Sequence, residues 1–293
     1  MRPCSKNSRA FRDITNSIQV SEEKQQVGGK EASQGSVELA DCAPSNVLND
    51  NGCQRIVTGR KLIDDAVNPT FAHLYIPESR LTIEKTYIGS GGYGDVSKGY
   101  LSGAVHCPSS EIVAVKRFRK SDTASRDFLQ ELETLVEVSP LSSAVTVLGW
   151  TVLHSAKGRV KTSVPALILE YLDFGDLLNF MCYLEGKRML EFKLIVQVIL
   201  DALMSLLQLH SISLGHGDVK AENFLVEEVH VKLQDGSFVT TKKFYNLEEC
   251  LKTGGEIVFV KLLSSDFGSA VRLPGKDSRH ATDIASFFDN FLK

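Results

Sequence analysis

Asp218, Lys220 and Asn223 fall close together in "LGHGDVKAENFLV", residues 214–226. A carboxylate can orient an incoming hydroxyl, an amide oxygen can hold a hard cation, and an ammonium can offset charge on a moving phosphoryl group. Phosphoryl transfer asks for all three at one place. Downstream, "SDFG" brings Asp266, a second oxygen ligand suited to magnesium. Upstream, "VAVK" puts Lys116 at the end of an apolar strand, where a lone ammonium is costly unless paired. Glu131 follows on the apolar side of a helix, beside Phe128, Leu132 and Leu135, so a Lys116–Glu131 pair would satisfy both groups and aim the ammonium at a phosphate. Two unrelated snorkelling side chains are the bland alternative.

Gly89, Gly91 and Gly94 fit G-x-G-x-x-G. A dinucleotide-binding turn of that form should open a helix. Here "DVSKGYL" alternates like a strand, which favours a hairpin loop whose backbone N–H groups approach phosphate oxygens. A plain flexible turn would have the same composition.

The elements that must position these residues are legible in outline. "LTIEKTYIGSGGYGDVSKGYL" predicts a hairpin, "EIVAVKRF" a strand, "ASRDFLQELETLVEV" an amphipathic helix and "PALILEYLDFGDLL" a buried strand ending in a polar link. Over 192–209, Lys193, Gln197, Asp201, Ser205 and Gln208 form one thin polar stripe on an otherwise apolar helix, which predicts cover on nearly all sides.

Taken jointly and in this order, the motifs of about 81–270 resemble those of a eukaryotic-type protein kinase, serine/threonine-like because of Lys220. The resemblance implies an α+β, two-lobed fold with a β-rich N-lobe and a mainly helical C-lobe. It also implies a division into an N-lobe at 71–169, a hinge at 170–175 and a partial C-lobe at 176–293. By resemblance, Gly89, Ser90, Gly91, Gly92, Tyr93 and Gly94 cover the phosphates of ATP. Lys116 contacts the α/β-phosphates and Glu131 braces it. Asp218 is the base, helped by Lys220, while Asn223 and Asp266 hold Mg2+. The backbone of Glu170 and Leu172 meets adenine, Val96, Ala114 and Leu225 line its apolar shelf, and Asp176 contacts ribose.

Three features depart from the family. Gly217 replaces the arginine usual before the base, which argues against loop phosphorylation as the on-switch. A segment near 227–256, with an Asp235-Gly236 turn, is inserted between Asn223 and Asp266; it predicts a hairpin plus a short helix, either a docking surface or a tolerated loop. The chain also stops soon after Gly268, so the C-lobe is expected to be incomplete. "ATDIASFF" resembles the start of the helix that supports the catalytic loop, with Asp283 as its anchoring acid. Half a dozen uncovered Leu/Ile side chains at ~1.5 kcal/mol each would cost ~10 kcal/mol, comparable to a net stability of ~5–15 kcal/mol. A partner, the tail or the insertion is expected to cover that face. The alternative function is a nucleotide-binding module or pseudokinase acting as a scaffold.

Bulk properties agree. With 33 Lys+Arg against 36 Asp+Glu, the net charge of −3 is no footprint for nucleic acid. The apolar stretch at 194–209 is interrupted by Gln197, Asp201 and Ser205, which argues against a membrane span. Six scattered cysteines and no apolar signal sequence point to a cytoplasmic or nuclear protein. Residues 1–70 hold one aromatic, Phe11, and are read as disordered.

Overall fold

A computed structural model describes residues 69–91, 94–102, 110–119, 124–157, 160–273 and 280–291. The expectation of disorder over 1–70 lies almost wholly outside them, as do Gly92 and Tyr93.

Five antiparallel strands form the first lobe: β1 (Leu81–Ser90), β2 (Gly94–Leu101), β3 (Glu111–Phe118), β4 (Val147–Lys157) and β5 (Val160–Glu170), in the order β1-β2-β3-β5-β4. Side chains alternate across a strand. Val113 and Val115 therefore enter a core with Ile76, Ala166 and Ile168, while Ala114, Lys116 and Phe118 share the other face. Helix α1 (Ala124–Val138) lies on that second face and buries Phe128, Leu132 and Leu135. Phe128 meets Phe118 at 5.6 Å and Trp150 at 6.0 Å between ring centroids. Trp150 is fixed in turn by the segment before β1, since its Nε1–H donates to the Phe71 carbonyl at 2.9 Å. β4 has no clean alternation and emerges only from the structure.

The second lobe begins with α2 (Leu177–Gly186) and α3 (Phe192–Ser211), followed by the short strand β6 (Leu214–Gly215). β7 (Phe224–Lys232), β8 (Phe238–Thr241) and β9 (Glu256–Ser264) make a second sheet in the order β8-β7-β9, and α4 (Phe244–Lys252) joins β8 to β9. The tight turn between β7 and β8 uses Gly236 at φ +84°. β10 (Val271–Arg272) pairs with β6, and α5 (His280–Phe291) closes the described chain.

Helix α3 corrects the sequence reading. It is not covered all round: Phe192 is 80% exposed and Leu200 57%, and Val196, Met204 and Leu207 share their side. Lys193 of the polar stripe is exposed, but the rest of the stripe faces inward. Gln197 exchanges hydrogen bonds with both the N–H and the carbonyl of Val260, Asp201 accepts from Leu262 N–H at 2.7 Å, and Ser205 meets Ser264. These side chains satisfy the free backbone edge of β9, so the stripe is a sheet cap rather than a solvated face. By length and composition α3 could cross a membrane. In this fold its opposite side buries Leu194, Val198, Ala202, Leu206 and Leu209.

Candidate active site

Lys116 is the centre of the site. The residue is 6% exposed, and its ammonium lies 2.5 and 2.7 Å from the two oxygens of Glu131 and 2.6 Å from Oδ1 of Asp266. Burial opposes the charge, but the Glu131 and Asp266 carboxylates outweigh it and hold the ammonium above its ordinary pKa. Glu131 is 1% exposed, and burial pushes its carboxyl up against the pull of Lys116. The pairing requires α1 to sit close against β3. Gln130 donates to the Ala270 carbonyl, and Arg272 pairs with Glu137 at 2.5 Å, so α1 is also tied to the chain just after Asp266.

The glycine-rich loop joins β1 to β2, with Ser90 paired to Asp95 and the Gly91 N–H bonded to the Gly94 carbonyl at 2.9 Å. Gly94 is dictated by close approach: a Cβ there would lie 2.2 Å from the Arg117 carbonyl oxygen. Ser90 donates to Asp95 at 2.7 Å while Arg119 reaches both, which holds Asp95 below the usual carboxylate range, chiefly through the Ser90 hydrogen bond. Neither Asp95 nor Arg119 stands out in the sequence; only strand register brings them to Ser90.

Val96, beside Lys116 in register, Ala114, two before it on β3, and Leu225 on β7 are all half-buried. The link from β5 to α2 carries Glu170, whose carboxylate accepts from Thr146 N–H at 2.6 Å, and Leu172, whose carbonyl accepts from Gly175 N–H. Asp176 caps α2, accepting from Asn179 N–H at 2.9 Å and from its amide at 2.6 Å. Burial raises its carboxyl above the usual range, and those hydrogen bonds oppose the rise. An antiparallel bridge from Asp176 to Leu225 sets the two side by side.

Asp218 lies 2.6 Å from Lys220 Nζ, and the Asn223 amide donates to its carbonyl at 2.7 Å and its Oδ2 at 3.0 Å. The loop is suspended from α5: the Asp283 carboxylate accepts the N–H groups of His216 at 2.7 Å and Gly217 at 2.9 Å, and meets His210 Nε2 at 3.0 Å. Burial raises the Asp283 carboxyl, but these donors win and hold it low. His216 is buried between Phe267 and Phe224, bonded through Nε2 to the Ser265 carbonyl, and burial lowers its pKa. The sequence assigned His216 no role; its place one residue before Gly217 gave no sign of that stack.

Gly217 has a steric reason. Its φ is +78°, and a Cβ would lie 2.1 Å from the Ser269 carbonyl oxygen. The chain after Asp266 thus occupies the space that a side chain at 217 would need. Asp266 itself takes the left-handed conformation, φ +59°.

The oxygen groups fit magnesium. Asn223 spends its amide N–H groups on Asp218, which leaves its oxygen as an acceptor, and Asp266 has a second oxygen beside the one that Lys116 takes. Among the described residues no group of three His, Cys, Asp or Glu side chains comes together. Magnesium asks for only one or two protein oxygens when phosphates supply others.

Residues 82–269, well over half of the chain, match the family model described as protein tyrosine and serine/threonine kinase. The chain belongs to that family. It is 28% identical over 204 residues, 68% of its length, to an Arabidopsis thaliana protein named "Probable LRR receptor-like serine/threonine-protein kinase". It is 27% identical over 157 residues, 52% of its length, to the same plant's cysteine-rich receptor-like protein kinase 25. A serine/threonine-protein kinase of Saccharomyces cerevisiae is 29% identical over 183 residues, 58% of the chain. The matches span 21% of each plant relative and 38% of the yeast one.

Proposed function

We propose that the chain transfers the γ-phosphoryl group of Mg-ATP to serine or threonine hydroxyls of proteins. The observation that carries this is the simultaneous contact of Lys116 with Glu131 and Asp266, which brings a cation from one lobe to a metal-type acid from the other. A buried ammonium so placed can grip phosphate oxygens, the more strongly for being removed from water. Magnesium, when bound at Asn223 and Asp266, would offset the charge of the terminal phosphates.

The chain's own residues then act as follows. Adenine rests between Val96, Ala114 and Leu225 against the backbone of Glu170–Leu172. The glycine-rich loop lies over the phosphates. Asp218 accepts the proton of the substrate hydroxyl as its oxygen attacks the γ-phosphorus; the bond from that phosphorus to the ADP oxygen breaks, and Lys220 steadies the moving charge. Serine/threonine preference rests on Lys220 and on the names of the relatives.

The test is transfer of labelled γ-phosphate to a generic basic protein, followed by phosphoamino-acid analysis. Label on serine and threonine, reduced at least about a hundredfold in Asp218→Asn, is the outcome expected. Retained ATP binding with no transfer in the parent would favour a nucleotide-binding module.

A further inference from the structure

Helix α4 lies in the long crossing between Asn223 and Asp266, and its own sequence provides poorly for its start. The residue at its N-cap is Lys243, which makes no side-chain cap. A lysine has only donors, whereas the first N–H groups of a helix need acceptors. The Phe244 N–H is taken instead at 2.8 Å by Oδ2 of Asp173, 71 residues earlier. Asp173 directly follows the link residues Glu170–Leu172, and its charge also suits the positive end of a helix.

Other contacts join the same parts. The buried ring of Phe244 lies 6.3 Å from that of Phe174 and 4.9 Å from that of Tyr183. Tyr183 on α2 donates to Glu248 on α4, and Lys187 pairs with Glu248 at 3.3 Å. At the start of β7, Val226 N–H donates to the Gly175 carbonyl at 2.9 Å. A tolerated surface loop would be held by its own contacts; α4 is bonded and packed to the nucleotide side of the molecule.

We propose that α4 is a brace for the link between the lobes, and that Asp173, by capping α4, is a positioning residue that fixes the Glu170–Leu172 backbone for adenine. The inference deepens the kinase reading and rests on it for the identity of the nucleotide. Asp173 touches no substrate; it acts through the backbone it anchors.

The test uses the full chain and its Asp173→Ala, Asp173→Asn and Tyr183→Phe variants. Mg-ATP binding is measured by calorimetry, and hydrogen exchange of segments 170–175 and 244–252 is measured without nucleotide. Asp173→Ala weakens Mg-ATP about fivefold, the size expected for one lost cap. It raises KM for ATP by a similar factor, leaves kcat within about twofold, and speeds exchange in both segments. Asp173→Asn keeps an oxygen acceptor and stays within about twofold of the parent in affinity. Faster exchange in 244–252 alone, with 170–175 and ATP affinity unchanged, would make the cap merely structural and overturn the proposal. If Asp173→Ala does not fold, Tyr183→Phe, which removes one hydroxyl from the α2–α4 contact, decides by the same two segments. Should the parent bind no ATP, the kinase reading fails, and the nucleotide-free exchange comparison still decides the brace.

Discussion

Lys220 sets the acidity of Asp218. Burial alone would lift the Asp218 carboxyl, but hydrogen bonds from Lys220 and Asn223 and the charge of Lys220 outweigh it and hold the group below the ordinary carboxylate range. A lowered pKa keeps the acceptor ionised to more acidic pH. Lys220→Ala therefore moves the acidic limb of the kcat/KM profile to higher pH and lowers the rate at neutral pH by about tenfold or more; an unmoved limb would contradict this. Gly217 allows a sharper test. Its positive φ and the Ser269 carbonyl leave no room for a side chain. Gly217→Arg is thus expected to destabilise the fold by ~1–3 kcal/mol and to lower transfer. An arginine variant as stable as the parent would contradict the steric account. The acids, amide and lysines were legible because phosphoryl chemistry restricts which side chains can serve. The reason for Gly217 was not, because it lies in a backbone atom 52 residues away.

At the scale of elements, α3 shows what periodicity can and cannot say. The stripe of Gln197, Asp201, Ser205 and Gln208 was visible in the sequence, but a polar stripe reads the same whether it meets water or a strand edge. Only the tertiary pairing with β9 decides, and β9 belongs to a crossing whose place in the fold local sequence does not give. The structure reverses the ordinary ranking of two neighbouring substitutions. Asp201→Ala strands the Leu262 N–H and is expected to cost ~1–3 kcal/mol, whereas Leu200→Ser on the exposed side stays within ~0.5 kcal/mol. Chemical denaturation of both variants checks this, and a larger loss for Leu200→Ser would contradict the assigned faces. Helix α1 was legible for a different reason: it buries one face, with Phe128, Leu132 and Leu135, so the period survives in the sequence. In β4, edge contacts with Tyr75 and Ile76 blur it.

At the scale of the molecule, the proposed function depends on side chains far apart in sequence meeting between two lobes. Lys116 and Asp266 are separated by 150 positions yet lie 2.6 Å apart. Glu131, a buried acid on α1, completes that contact, and Asp283 on α5 suspends the loop that carries Asp218. A ligand that binds the folded state alone stabilises it in proportion to the logarithm of its concentration over Kd, about 2.7 kcal/mol at a hundredfold excess. The most direct measurement is the melting midpoint of the chain and of Lys116→Met, each with ATP and with and without magnesium. The parent midpoint should rise with ATP in a magnesium-dependent way, and the rise should vanish in Lys116→Met. A parent midpoint that ATP and magnesium leave unmoved would contradict a nucleotide cleft built around Lys116.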